Sequence, residues 1–135
     1  MSVNNYLYLF RYQPTESELC NVEIKSVFDQ ETDGKLLLSD LKIEPDDSAF
    51  IKRRIDILLH STDYDTLIQQ IKKEGIHSEG FKVEYLVLDG DPSEYPERLS
   101  RLKDIGYSIE GTPDYRNPTI TYVLCQHAGI WYFGV

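Results

Sequence analysis

The sequence predicts an α+β fold, and three observations carry that reading. Aromatic and β-branched residues alternate or cluster in short runs, as in Tyr6-Leu-Tyr-Leu-Phe10 and Phe81 to Val87, the habit of strands. Between such runs, apolar residues recur at the spacing of one helix face, behind residues that cap helices. Through Leu88 the two patterns alternate as β-α-β-β-α-β.

Taken in order, Tyr6 to Phe10 is an aromatic strand that Pro14-Thr15 stops. Thr15 and Glu18 have capping-box spacing, and behind them Cys20, Ile24, Val27 and Phe28 line one helix face. Asp33-Gly34 signals a turn into a short strand, Lys35 to Ser39, and Glu44-Pro45-Asp46-Asp47 is an acidic loop. From Phe50 to His60, Ile51, Ile55, Ile57 and Leu59 take one side of an extended chain, with Lys52, Arg54 and Asp56 on the other. Asp63 caps a helix through Glu74 with Leu67, Ile68 and Ile71 inward, and Gly75 is its stop. Phe81, Val83, Tyr85 and Val87 form the inner face of the next strand. This order is that of the ferredoxin-like split βαβ unit, an antiparallel sheet with two helices on one face.

The remainder extends it. Pro92-Ser93 opens a helix with Tyr95, Leu99 and Leu102 on one face, and Gly106 and Gly111-Thr-Pro113 break the chain. Thr119 to Cys125 and Ile130 to Phe133, apolar on both faces, form a tight hairpin. The chain ends at Val135 within that strand pattern, which suggests that more polypeptide follows.

Composition narrows the function. At 135 residues and 41% hydrophobic, the chain has the material for one core or two small joined motifs, which argues against disorder. No apolar run approaches the ~18 residues of a membrane helix. Met1 to Gln13 lacks the basic and long apolar regions of a signal peptide, and Cys20 and Cys125 are lone cysteines. These features imply a reduced, cytoplasmic setting without a membrane partner. The net charge of -9 disfavours a polyanion partner taken alone. The acids are uneven, however: they crowd between Asp29 and Asp47, whereas Arg98, Arg101, Lys103 and Arg116 outnumber Asp104, Glu110 and Asp114 toward the end.

Catalytic signatures are missing. His60, His77 and His127 have no metal-ligand spacing and read as turn or strand-end histidines. Cys125 and His127 share a strand face, which admits a thiol nucleophile, but no third group is visible, and a buried structural cysteine is the simpler reading. The glycines form no phosphate-binding loop. Asp89-Gly-Asp91-Pro lacks the later ligands of a calcium loop and reads as a turn.

Two basic features remain. Lys52-Arg53-Arg54 lies on a strand, and Arg98 and Arg101 share a helix face near Lys103 and Arg116. Arginine offers bidentate phosphate contacts and stacking, which suit RNA. The plainer reading is ion pairing: Glu94–Arg98 and Glu97–Arg101 are i, i+4 pairs, and Asp56 can neutralise Arg54.

Five strings then matter in their order: Ala49-Phe-Ile-Lys-Arg-Arg-Ile-Asp56, Phe81-Lys-Val-Glu-Tyr-Leu-Val-Leu-Asp-Gly-Asp91, Ile105-Gly-Tyr-Ser-Ile-Glu-Gly111, Asn117-Pro-Thr-Ile-Thr-Tyr122 and Gly129-Ile-Trp-Tyr-Phe-Gly134. Together they resemble the N-terminal region of THUMP-containing RNA methyltransferases, near the tRNA guanine-N2 methyltransferase group. The resemblance implies a ferredoxin-like βαββαβ sheet continued by a THUMP-like helix and β-hairpin. It implies one compact unit over 1–135, with a ferredoxin-like part over about 1–60 and a THUMP-like part over 61–135. It further implies recognition of tRNA or another structured RNA, with Lys52, Arg53, Arg54, Arg116 and Asn117 on the RNA-facing surface. Arg98 and Arg101 join them as basic helix residues.

In that family an S-adenosylmethionine-dependent domain follows. This chain contains neither a glycine-rich loop for that cofactor nor a [DNS]PP[YFW] motif. The expectation is therefore a non-catalytic domain without its own cofactor, S-adenosylmethionine being held by a downstream methyltransferase domain of the same polypeptide. The alternative is an acidic protein–protein interaction or homodimerisation module, using Tyr6 to Tyr12 as an exposed sheet edge.

Overall fold

Tyr6–Phe10 forms strand β1, Ser17–Phe28 helix α1, Leu36–Ser39 strand β2 and Ile51–Ser61 strand β3. They are followed by helix α2 (Tyr64–Glu74), strand β4 (Phe81–Leu86), helix α3 (Tyr95–Ser108), and strands β5 (Ile120–His127) and β6 (Ile130–Gly134). The computed structural model describes residues 5–28, 35–88 and 90–135. The expected Asp33-Gly34 turn and the Asp89 position lie outside them. The chain divides into two compact units, Met1–Asp56 and Ile57–Val135, and β3 runs from the first into the second.

In the first unit β1 pairs antiparallel with β2 on one side and with β3 on the other. The aromatic strand is thus a central one, which corrects the expectation that it offers an edge. Tyr8, Phe10, Leu37 and Ile51 pack with Cys20, Ile24 and Phe28 of α1 as one core. Val27 was expected on this face but is exposed. The helix is entered earlier than Thr15: Pro14 begins a 3-10 turn, and the Gln13 N–H donates to Glu16 Oε1 at 2.9 Å. Proline suits a first turn, because it has no N–H to leave unsatisfied.

A bulge in β3 alters its faces. Leu9 sits opposite Arg53, but Phe10 sits opposite Ile51, so Lys52 is the extra residue. That insertion shifts the alternation by one. Ile51 joins Phe10 on the α1 face, while Ile55 lies opposite Leu7, so the expected common side of Ile51 and Ile55 is not formed.

In the second unit β3 pairs with β6 and β6 with β5, both antiparallel, while β4 pairs with β5 in parallel. The β-α-β-β-α-β element order is observed, but its pairing is not the purely antiparallel one of the split unit. The cause is α3: a helical crossover between β4 and β5 returns the chain in the same direction. Leu67 and Ile71 of α2, Ile105 of α3 and Ile109 just past its end pack on Phe81, Val83, Tyr122, Leu124, Trp131 and Phe133. Each such side chain, fully buried, contributes about 1.5–3 kcal/mol. Val123, Cys125 and Tyr132, which alternate with these residues, are buried too, so the hairpin is covered on both faces as its sequence predicts.

Helix α2 has the expected ends: Asp63 Oδ2 accepts from the Thr66 N–H at 3.0 Å, and Gly75 closes it at φ 63°. Helix α3 departs from expectation. Tyr95 and Leu99 are exposed, Leu102 packs against the core as expected, and the buried residues are Ile105 and Ser108, so the face is displaced toward the C-terminal half. Gly106 does not break it, because Ile105 and Ile109 in the core outweigh one helical glycine, about 1 kcal/mol. Val87 lies past the end of β4 and is exposed.

Candidate nucleic-acid interface

The basic residues picked from the sequence are held in different ways. In the first unit Lys52 is exposed at the bulge, and the neighbouring Arg53 is partly buried. Arg54 is committed to its own fold, with its side chain 14% exposed. Its Nε donates to Asp56 Oδ1 at 2.8 Å, its Nη1 lies 3.2 Å from Glu44 Oε1, and it also reaches the Ile43 carbonyl. Burial works against the Arg54 charge, but the bonds to Asp56 and Glu44 prevail and raise its pKa. The Tyr8 hydroxyl donates to the Leu41 carbonyl and accepts from the Ile43 N–H, so tyrosine and arginine together hold the loop before β3.

In the second unit Arg98 and Arg101 face aromatic rings. Arg98 Nη1 donates to the Ser93 carbonyl at 2.7 Å, and its guanidinium lies 6.0 Å from the Tyr85 and Tyr95 rings. Arg101 lies 4.6 Å from the Trp131 ring and 5.8 Å from Tyr64, and pairs with Glu97 at 3.5 Å. Cation–π contact of this kind is worth about 0.5–2 kcal/mol. Beside it, the Tyr85 hydroxyl donates to Asp91 Oδ2 at 2.6 Å, and the Ser93 N–H donates to Asp91 Oδ1 at 2.8 Å. Burial and the Asp91 hydrogen bond push Tyr85 up to about 12. Burial raises Asp91, but its bonds from Ser93 and Tyr85 outweigh this and leave its pKa below the ordinary value.

Arg116 and Asn117 are exposed on the loop before β5, where both backbone N–H groups donate to Asp114 Oδ1 at 3.0 and 3.1 Å. The structure therefore brings Arg98 with Arg101, and Arg116 with Asn117, into separate settings within the second unit.

Periodicity does not reveal the groove beside that loop. It has a volume of about 380 Å³ and is lined by Leu102, Ile109 and Pro113, with Lys103, Tyr107 and Tyr115 around them. Tyr107 is 88% exposed and Tyr115 62%. Gly106 and Gly111 complete the lining. The 110s segment is held in place by backbone bonds: Ser78 N–H to Glu110 O at 2.9 Å, Glu110 N–H to Ile76 O at 2.9 Å and Gly80 N–H to Thr112 O at 2.7 Å. An open slot bordered by tyrosines and a cation can stack a planar ring and hold an anion.

No protein-family model and no curated protein matches the sequence. Solved structures do match in fold. A 4-thiouridine synthetase crystallised with RNA and bound ATP superposes over 96% of this chain with a TM-score of 0.63 at 16% identity. The fold is THUMP-like. PH1313 from Pyrococcus horikoshii Ot3 matches over 98% with a TM-score of 0.62 at 12% identity, and TrmN from Thermus thermophilus over 96% with 0.55 at 11%. The match takes in 40%, 54% and 44% of those chains respectively, so this chain spans about half of each or less.

The other features singled out in the sequence lie elsewhere. Cys125 is fully buried, opposite Tyr132 on β6, where a substrate does not reach its thiol. Among the described residues no three His, Cys, Asp or Glu side chains group to hold a metal, and no helix is long and apolar enough to cross a membrane.

Proposed function

We propose that this chain recognises RNA, tRNA in particular, as the non-catalytic front of an RNA-modifying enzyme. The observation that carries this reading is the fold likeness, over 96% of the chain, to an enzyme crystallised with RNA. Exposed cations such as Lys52, Lys103 and Arg116 would touch phosphates, contacts that fix position without reading sequence. The ordered strings favour an S-adenosylmethionine-dependent methyltransferase of the tRNA guanine-N2 group as the parent, with its cofactor in a downstream domain. A second parent, a 4-thiouridine synthetase, is favoured by the TM-score of 0.63 against 0.55 for TrmN.

The residues of the groove do not fit S-adenosylmethionine. Among the described residues its lining carries no carboxylate for ribose hydroxyls and no glycine-rich strand-to-helix turn. No methyl-transfer step is assigned to this chain. The test pairs two titrations of the 135-residue chain, one with tRNA and one with S-adenosylmethionine. Saturable tRNA binding without cofactor binding is the expected result. Absence of tRNA binding refutes recognition, and cofactor binding by this chain alone refutes the non-catalytic reading.

A further inference from the structure

The groove between α3 and the 110s segment has a chemistry of its own. Tyr107 and Tyr115 present phenol rings to solvent although large aromatics are usually covered. Both border the same slot, together with Leu102, Ile109, Pro113 and two glycines, and among the described residues Lys103 is the charged side chain that lines it and no acid does. Arg116 directly follows Tyr115 and is exposed. A Cβ added at Gly106 would meet nothing within 4 Å, so the absence of a side chain there leaves open space. At about 380 Å³ the slot is near the lower bound of small-ligand sites, about 300–1,000 Å³.

We propose that this groove takes one unpaired nucleotide of a single-stranded RNA segment, its base stacked against Tyr107 and Tyr115 and its phosphate on Lys103. The proposal rests on the reading of the chain as an RNA-recognition domain and deepens it by naming where an unstacked base goes. Proteins read single strands by stacking bases on aromatic rings beside a basic track, and stacking tolerates any base. A duplex keeps its bases stacked on one another and offers the slot nothing. The groove therefore discriminates RNA by strandedness. An aliphatic peptide side chain would fill the floor but would leave the cation without a counter-charge.

The test measures binding of a short oligouridylate, of blunt duplex RNA and of whole tRNA to the wild-type chain and to Tyr107→Ala, Tyr107→Phe, Tyr115→Ala and Lys103→Ala. Tyr107 is exposed enough that its alanine variant keeps the fold, which circular dichroism verifies. Each tyrosine-to-alanine change should weaken oligouridylate and tRNA binding by about fivefold or more, from a stacking contribution of about 1–3 kcal/mol. Tyr107→Phe should bind as wild type, and duplex binding should not change. Lys103→Ala should weaken binding and flatten its salt dependence. If wild type binds tRNA and both alanine variants bind the single strand equally well, the groove is refuted while RNA recognition stands. If wild type binds none of the three RNAs, both readings fall.

Discussion

Gly111 is the position where the backbone tolerates least. It adopts φ +124°, and a Cβ placed there would lie 1.8 Å from the Ser78 carbonyl oxygen and 2.7 Å from its carbon. Both are main-chain atoms and cannot rotate away. Gly111→Ala must therefore push the 110s segment off residues 76–80, across the three bonds Ser78 N–H to Glu110 O, Glu110 N–H to Ile76 O and Gly80 N–H to Thr112 O. An unfavourable backbone conformation costs about 1–3 kcal/mol, and each lost bond about 0.5–1.5. Together these come to about 2.5–7.5 kcal/mol, comparable with the whole stability of a small domain, about 5–15 kcal/mol. Urea denaturation followed by circular dichroism should show a large fall in midpoint or no folded baseline. Gly106→Ala is the matched control. In mid-helix with open space around it, this change should stabilise by about 0.5–1 kcal/mol. A Gly111→Ala midpoint equal to that of wild type would refute the packing assigned to this segment.

Other outcomes follow from single contacts. Ala128 and Gly129 link β5 to β6 with φ values of 51° and 78°, a two-residue turn that disfavours alanine. Ala128→Asn should therefore raise stability by about 0.5–1 kcal/mol in thermal melts. Because folding lowers the Asp91 pKa, its stabilisation is complete above the ordinary value of 3.8 and disappears as pH falls through the lower folded value. The stability gap between wild type and Asp91→Asn, measured by denaturation at a series of pH values, should close on that acid side. Tyr85 behaves in the opposite sense: its contribution holds below the ordinary 10.0 and is lost as pH rises through about 12, a step that Tyr85→Phe should abolish.

Much of the fold was legible in the sequence because its signals are local. Asp63 and Gly75 mark both ends of α2, and the runs at Tyr6, Phe81 and Ile130 lie where strands form. What escaped depends on partners. The Lys52 bulge is defined by register against β1, and no period within β3 predicts that Ile51 and Ile55 part company. The buried face of α3 is chosen by the sheet under Ile105, and the parallel pairing of β4 follows from where the crossover returns. The site was legible in type more than in place. Arg54, Arg98 and Arg101 stand out as basic, yet their guanidinium groups are engaged by Asp56, the Ser93 carbonyl and the Trp131 ring. Tyr107 and Tyr115 carry no periodic signal, since a tyrosine on a helix or loop usually reads as core. Only the folded 110s segment puts them beside one groove.

That distribution makes salt dependence the most direct test of RNA recognition by this chain. Arg54, Arg98 and Arg101 are held internally, whereas Lys52, Lys103 and Arg116 are exposed and open to phosphates. If Lys52, Lys103 and Arg116 make the contacts, log affinity for tRNA should fall against log salt with a slope of roughly -2 to -3. Saturable binding with that slope is expected; no binding, or an affinity indifferent to salt, would refute RNA recognition through these residues.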